Sequence, residues 1–412
     1  MKAGLIGYPL SHSYSSLIHS FIGDYPYEHC EVAPDGLEAF VKSREFDFYN
    51  VTIPHKVEIM KHLDFIDPDA KRVGAVNTVV DIGGVLCGYN TDVFGFEYTV
   101  SASNISVKGK KALVLGAGGA AKTAIYVLEK LGAQVCVISR RGEDNFENIE
   151  KHGDAGIIVN CTPVGMFPHM DERAVDLSVF PRLEYVFDMI YNPFRTDLMR
   201  QAQALGVGCT GGMAMLAAQA VKASELFTGK KLDKALIPYA AYKTSLKHIC
   251  VTLIGMPGSG KSTVGRRVSQ MLGLDFYDTD ALVEKDAKMK IPEIFNSFGE
   301  EHFRALEARA LSYALSRGGV IATGGGIIKS EGNRDNIKRH GPAIYLDRPL
   351  NRLSSAGRPL SQSVGVEALY KERAPLYTSL ADITVKSEKT PAMTAEIAVK
   401  ELEEFLKRSF GK

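Results

Sequence analysis

The chain has 412 residues, room for two or three ordinary domains, and its 45% hydrophobic and 24% charged residues are the balance of a globular protein. Lys and Arg number 49 against 48 Asp and Glu, so no basic excess points to nucleic acid or an anionic membrane, and any bound anion must be held by local sites. The six cysteines are scattered without CxxC or Cys/His spacing, indicating neither zinc nor a disulfide framework, and no apolar run suggests a signal peptide or membrane span; a reducing cytoplasm is the expected location.

Strand-like and helix-like segments alternate along the chain, the pattern of α/β domains with largely parallel sheets. AGLIGYP reads as a strand, SSLIHSFIG as the next helix and FDFYNVTIP as a later strand. A second start, KKALVLGAGGAAKTAIYVLEKLGAQVCVISRR (110–141), reads as strand, glycine loop, helix and strand. A third, HICVTLIGMPGSGKSTVGRRVSQMLGL (248–274), repeats the strand–loop–helix form. The short polar stretch YKTSLKH (242–248) marks the main expected boundary, and SASNISVKGK near residue 100 a softer one.

In the first glycine loop, Gly116, Gly118 and Ala121 fit the G-x-G-x-x-G/A pattern, with Gly119 and Ala120 in the same turn, and the helix N-terminus is placed to meet a pyrophosphate. The following strand ends in Ser139, Arg140 and Arg141, with no acid to hold a ribose 2′-hydroxyl. Two guanidiniums there suit a 2′-phosphate, so the expected cofactor is NADP(H).

The second loop completes G-x-x-x-x-G-K-S from Gly255 through Pro257, Gly258, Ser259, Gly260 and Lys261 to Ser262, with Thr263 next. Its backbone amides would cradle the phosphates of ATP, Lys261 would reach the β/γ-phosphates and Ser262 would ligate Mg²⁺. Downstream, FYDTD supplies Asp278 and Asp280, and GEEHFRALE puts Arg304 and Glu307 on one helix face. TGGGI supplies Gly324, Gly325 and Gly326, where backbone can approach a small polar ligand; GRPL and ERAPLY add Arg358 and Arg373.

Two resemblances then enter. IGYPLSHSYSSLIH, NVTIPHK, GAVNTVV, GYNTD, GAGGAAKTA, VNCTPVGM and GGMAMLAAQA follow one another in order, and residues 1–240 resemble shikimate dehydrogenase. That resemblance implies Lys56 and Asp92 as the catalytic pair. It also implies Ser13, Ser15, Thr52, Asn77, Tyr191 and Gln219 around the substrate, with Thr162 and Gly212 beside the cofactor. The residues themselves agree: Ser13 and Ser15, two apart, can project to one side of an extended segment, and Lys56 can serve a nascent alkoxide with Asp92 orienting it. His12, His19 and His55 read as structural or loop residues. Only 19 positions separate Arg141 from Asn160, so one crossover of the dinucleotide domain is expected to be trimmed.

Residues 248–412 resemble shikimate kinase. By that resemblance Asp280 holds the acceptor hydroxyl, Arg304 and Arg373 grip its carboxylate, Gly324 to Gly326 line its site, Arg358 comes from a short lid with Arg352 as a further candidate, and Asp278 joins Ser262 around Mg²⁺. The expected domains are a substrate-binding lobe at 1–100 with returning helices at 211–241, a Rossmann-type NADP lobe at 101–210, and a P-loop kinase at 248–412. The expected activity is bifunctional: 3-dehydroshikimate to shikimate with NADPH, then shikimate to shikimate 3-phosphate with ATP. Two rivals stay open at this point, a quinate/shikimate dehydrogenase fused to another small-molecule kinase and an inactive metabolite-sensing regulator.

Overall fold

The computed structural model describes residues 2–10, 13–353 and 365–410. The chain divides into two compact units, Met1–Thr244 with Lys407–Lys412, and Ser245–Leu406. Each of the three predicted strand–loop–helix starts opens or centres a sheet.

The first sheet of the first unit is built from β1 (Ala3–Gly7), β2 (Tyr27–Glu31), β3 (Phe48–Val51), β4 (Phe65–Ile66), β5 (Thr78–Ile82) and β6 (Val85–Tyr89), in the order β2-β1-β3-β5-β6-β4. It is mixed rather than parallel throughout: β5 runs antiparallel to both β3 and β6. The β5–β6 pair is closed by a turn in which Gly83 and Gly84 take φ of 62° and 91° and Asp81 accepts a hydrogen bond from the Gly84 N–H. Such positive-φ pairs close two-residue hairpins. The helix Met213–Thr228 lies along the helix Thr91–Ala102. Gly95 permits the approach, because a Cβ there would stand 2.8 Å from the Met215 carbonyl.

The second sheet holds β7 (Lys111–Leu115), β8 (Gln134–Ile138), β9 (Ile157–Asn160), β10 (Tyr185–Asp188) and β11 (Gly208–Thr210), all parallel, in the order β11-β10-β9-β7-β8. Its central strands are buried on both faces, which explains the unbroken apolar runs KALVL and IIVN. Between β8 and β9 the chain forms only the 3-10 turn Ile149–His152, so the short crossover carries no α-helix.

The second unit has the parallel sheet β13-β14-β12-β15-β16, formed by β12 (Cys250–Ile254), β13 (Phe276–Asp278), β14 (Gly319–Ala322), β15 (Ala343–Asp347) and β16 (Ile383–Lys386). The helix Lys261–Leu272 leaves the loop after β12, and the long helical segment Ile291–Arg317 bends at Gly299, whose φ is 82°. The two units divide between Thr244 and Ser245, inside the stretch YKTSLKH where the sequence puts the main boundary, although most of that stretch is the end of the helix Leu236–Leu246. Its polar letters do not mark an exposed loop: Thr244 and Ser245 are buried with Tyr242 and Leu246.

Candidate active sites

In the first unit, the chain after β3 turns and presents Lys56, whose Nζ donates to Asp92 Oδ2 at 2.7 Å. Asp92 sits in the first turn of the helix Thr91–Ala102. That helix is fixed by Asn77, whose Oδ1 accepts from the Thr91 N–H at 2.7 Å and from the Thr91 hydroxyl at 3.2 Å. The same hydroxyl lies 3.3 Å from Gln219 Oε1. Asn77 and Gln219, 142 positions apart in the chain, thus meet through one threonine that sequence reasoning did not single out. The only signal was its place inside GYNTD.

Ser13 donates to the Ser15 hydroxyl at 3.0 Å, so the two are gathered as expected at the start of the helix Ser15–Ile22. Thr52 bonds to β1 through its N–H, and Tyr191 packs its ring 5.1 Å from that of Tyr14. Burial raises the phenols of both, that of Tyr14 to about 12. His19 is buried, stacked on Tyr27 at 4.0 Å and bonded to the Tyr25 hydroxyl, and His55 meets the Val32 carbonyl; both are structural. His12 lies outside the described residues.

The glycine loop after β7 leaves open space above its backbone. A Cβ at Gly118 or Gly119 would meet nothing within 4 Å, and Gly116 turns the chain at φ 108°. Ala120 and Ala121 continue into the helix Gly119–Lys130, with Ala121 buried against the sheet. Thr162 lies across from this loop: its N–H and hydroxyl both donate to Asn160 Oδ1, and Asn160 in turn donates to the buried Asp188. Gly212 passes so close to Met189 that a Cβ would stand 2.1 Å from its carbonyl oxygen. Past β8, Ser139 is half-buried while Arg140 and Arg141 are exposed, and no carboxylate among the described residues pairs with either.

In the second unit, Gly258 and Gly260 take φ of 83° and 95°, and the Lys261 ammonium is buried against the carbonyls of Gly255 and Met256 at 2.8 and 2.9 Å. A cleft of about 540 Å³ opens beside this loop, lined by Pro257, Ser262, Thr263, Asp278, Asp280, Arg304 and Arg373 among others. Ser259 is buried beneath the loop, and Ser262 is exposed. Arg348, not anticipated, reaches the Gly258 carbonyl at 3.3 Å from the end of β15.

The TGGGI glycines line the same cleft and also make room for its side chains. A Cβ at Gly324 would stand 2.5 Å from Glu307 Oε1 and 2.7 Å from Asp280 Oδ1. One at Gly325 would meet the Pro257 ring at 2.7 Å, and one at Gly326 the Arg304 guanidinium at 2.3 Å. Each glycine therefore admits a different group of the cleft. Glu307 is almost fully buried, with Oε2 on Arg304 at 2.7 Å and Oε1 without a hydrogen-bond partner, while Glu300 grips the other edge of the same guanidinium at 2.9 Å. Burial, then the nearby charges of Asp278 and Glu307, push the Asp280 carboxyl up to about 6. Asp278 Oδ1 caps the helix Thr279–Ala287 by accepting from the N–H groups of Asp280 and Ala281. Arg373 is buried in the helix Val366–Leu380, where Tyr377 donates to the Gly325 carbonyl. Arg352 ends the 3-10 turn Leu350–Arg352. Arg358 lies outside the described residues.

Comparison with known proteins decides the family. The model of the shikimate dehydrogenase substrate binding domain matches residues 5–79, and that of shikimate kinase matches residues 257–406. The shikimate dehydrogenase (NADP(+)) of Caldanaerobacter subterraneus is 38% identical, and the match covers 57% of this chain and 94% of that relative. The chain belongs to the shikimate dehydrogenase family and carries a shikimate kinase domain. It is a bifunctional enzyme of the shikimate pathway. Among solved structures, the Thermus thermophilus shikimate 5-dehydrogenase in complex with NADP(H) and shikimate is 32% identical with a TM-score of 0.55, covering 59% of this chain and 99% of that one. Shikimate dehydrogenase 1 of Peptoclostridium difficile is 34% identical with a TM-score of 0.54, covering 60% and 98%. Among the described residues no helix is long and apolar enough to cross a membrane.

Proposed function

We propose that the first unit reduces 3-dehydroshikimate to shikimate with NADPH, and that the second phosphorylates shikimate with MgATP to give shikimate 3-phosphate. The observation that carries the first half is the 2.7 Å pair of Lys56 and Asp92 beside the Asn77–Thr91–Gln219 chain. NADPH supplies the hydride when bound. The open floor at Gly118 and Gly119 and the unpaired Arg140 and Arg141 fit its pyrophosphate and 2′-phosphate. Lys56 delivers a proton to the carbonyl oxygen as it becomes an alkoxide, and Asp92 keeps the ammonium aimed. Ser13 and Ser15 hold the substrate carboxylate, while Thr52, Asn77, Tyr191 and Gln219 orient the ring and its hydroxyls.

In the second half, Arg304 and Arg373 hold the carboxylate of shikimate and Asp280 accepts the proton of the attacking hydroxyl. Lys261 neutralises charge on the transferring phosphoryl group, as phosphoryl transfer demands chiefly positioning and charge. ATP supplies that group, with Mg²⁺ held by Ser262 and Asp278. The exposed Ser262 hydroxyl and Asp278 Oδ2, which no protein group among the described residues bonds, fit a hard cation. The domain assignment follows: substrate lobe 1–100 with helices 211–241, NADP lobe 101–210, kinase from 248.

The test is one product analysis of the full chain given 3-dehydroshikimate, NADPH and MgATP. Shikimate 3-phosphate is expected. A mixture halted at shikimate overturns the kinase half, and unchanged 3-dehydroshikimate overturns the dehydrogenase half.

A further inference from the structure

The short crossover between β8 and β9 does something its sequence spacing conceals. Cys136 stands on β8, the outer strand of the second sheet, Asp144 in the loop that follows, and His152 at the end of the 3-10 turn Ile149–His152. One donor atom from each lies within 4.8 Å of the other two. Cys136 Sγ is 3.3 Å from Asp144 Oδ2 and 3.8 Å from His152 Nε2, and that nitrogen is 3.0 Å from Asp144 Oδ1.

These spacings lie within about half an ångström of those of ligands around one tetrahedral ion. Bonds of about 2.3 Å to sulfur and 2.0–2.1 Å to nitrogen and oxygen put the donors about 3.3–3.6 Å apart. Because Cys136 meets Asp144 Oδ2 and His152 meets Oδ1, closing on a metal requires the carboxylate to bind through both oxygens or to turn one of them to the ion.

The segment is also built to keep the three together. The Ser139 N–H donates to the Asp144 carbonyl, and Asn145 Oδ1 accepts from the N–H groups of Glu147 and Asn148. Ile149 is buried in the core beneath, and His152 is buried with it. The His152 imidazole has its Nε2 turned to the cluster while Nδ1 finds no hydrogen-bond partner. One group competes for the site: Lys151 Nζ sits 2.6 Å from Asp144 Oδ1, but its side chain is 45% exposed and can swing into water.

We propose that Cys136, Asp144 and His152 form a binding site for a zinc-class divalent ion, with solvent as the fourth ligand. Thiolate, imidazole and carboxylate together select Zn²⁺ or Co²⁺ over Mg²⁺ or Ca²⁺. Binding forms a metal–sulfur bond and releases the thiol proton to solvent. The chelate would tie β8 to the loop that carries Arg140 and Arg141. It is separate from the Mg²⁺ position proposed in the kinase unit, which offers oxygen donors.

The probe is Co²⁺, added to the full chain after chelator treatment. About one Co²⁺ per chain is expected to give a sulfur-to-cobalt absorption band in the near ultraviolet, bleached by Zn²⁺ and unaffected by excess Mg²⁺. Cys136→Ser should abolish the band, and His152→Gln should weaken Co²⁺ binding by roughly tenfold or more. Circular dichroism checks that each variant is folded; Asp144→Asn, expected to weaken binding similarly, replaces any that is not. No sulfur band in the parent chain overturns the proposal, and so does a band of undiminished strength in Cys136→Ser, because the ion would then sit on another cysteine.

Discussion

At Gly118 and Gly119 an added side chain would meet nothing within 4 Å, whereas at Gly255 it would meet the Leu346 carbonyl oxygen at 2.8 Å. Both loops join a parallel strand to a helix, yet they are built differently. The first is an open floor at a helix N-terminus, with the nearby full positive charges on another loop, at Arg140 and Arg141. The second is wound tightly, with Gly258 and Gly260 in positive φ and the Lys261 ammonium buried inside the turn. A cofactor that must come and go intact is held by separated contacts. A phosphoryl group that must be stabilised while it transfers needs its charge partner at the reacting centre.

The largest test of that contrast removes one lysine from each site. Lys261→Ala should lower kinase kcat by about a hundred- to a thousandfold while the same preparation keeps its dehydrogenase rate. Lys56→Ala should do the reverse, lowering dehydrogenase kcat by about a hundredfold or more. Separate steady-state assays on the full chain decide it. A lysine variant that slowed both reactions would show that the two centres do not work independently.

The pH profile sharpens the comparison next. Burial and two neighbouring carboxylates push Asp280 up to about 6, against about 3.9 for an ordinary aspartate. Asp280 must be ionised to accept a proton, so kinase kcat/KM should fall about tenfold per pH unit below that value, the limb reporting the free enzyme. Stability runs the other way. A carboxyl whose folded pKa is raised favours the fold below the unfolded value, and that contribution is lost as pH rises through about 6. Asp280→Asn should therefore be inactive as a kinase yet at least as stable as the parent at pH 7 in thermal unfolding.

Much of this was legible in the sequence because strand–glycine–helix runs put local chemistry beside local geometry. β7, β12 and their helices stand where KALVL, CVTLI and the loops after them predict. What escaped was assembled by tertiary contact. Nothing in GYNTD sets Thr91 apart, and only the packing of the helix Met213–Thr228 brings Gln219 to it. The first sheet's β5–β6 hairpin turns on a glycine pair that alternation of strands and helices does not reveal. Cys136, Asp144 and His152 lie eight positions apart in each step, matching no familiar ligand spacing, and converge only because the crossover lacks a helix. At YKTSLKH the division into units does fall, between Thr244 and Ser245, yet both residues are buried, which their polar letters do not reveal.

On the loop after β8, Arg140→Ala and Arg141→Ala should each raise KM for NADPH by roughly tenfold, the worth of a hydrogen bond to a charged group. KM for NADH, which lacks the 2′-phosphate, should stay as it was. Equal losses with both nucleotides in initial-rate assays would mean that the pair serves the fold or the pyrophosphate instead.

The smallest expected effect concerns Gly326. A Cβ there would fall 2.3 Å from Arg304 Nη1, but the backbone, at φ −97° and ψ −6°, accepts alanine without strain. The obstacle is the end of a flexible side chain, so the fold should survive and Arg304 should shift off Glu300 and Glu307. If Arg304 holds the carboxylate of shikimate, Gly326→Ala raises KM for shikimate by a few-fold to about tenfold, part of a charged hydrogen bond, with kcat changed less. An unchanged KM would remove Arg304 from the acceptor site. Gly255→Ala is the matching control in the tight loop: its φ of 146° and the Leu346 backbone carbonyl at 2.8 Å are obstacles that no side-chain movement relieves. There the loss should appear as lowered thermal stability of the kinase unit, before any question of affinity arises.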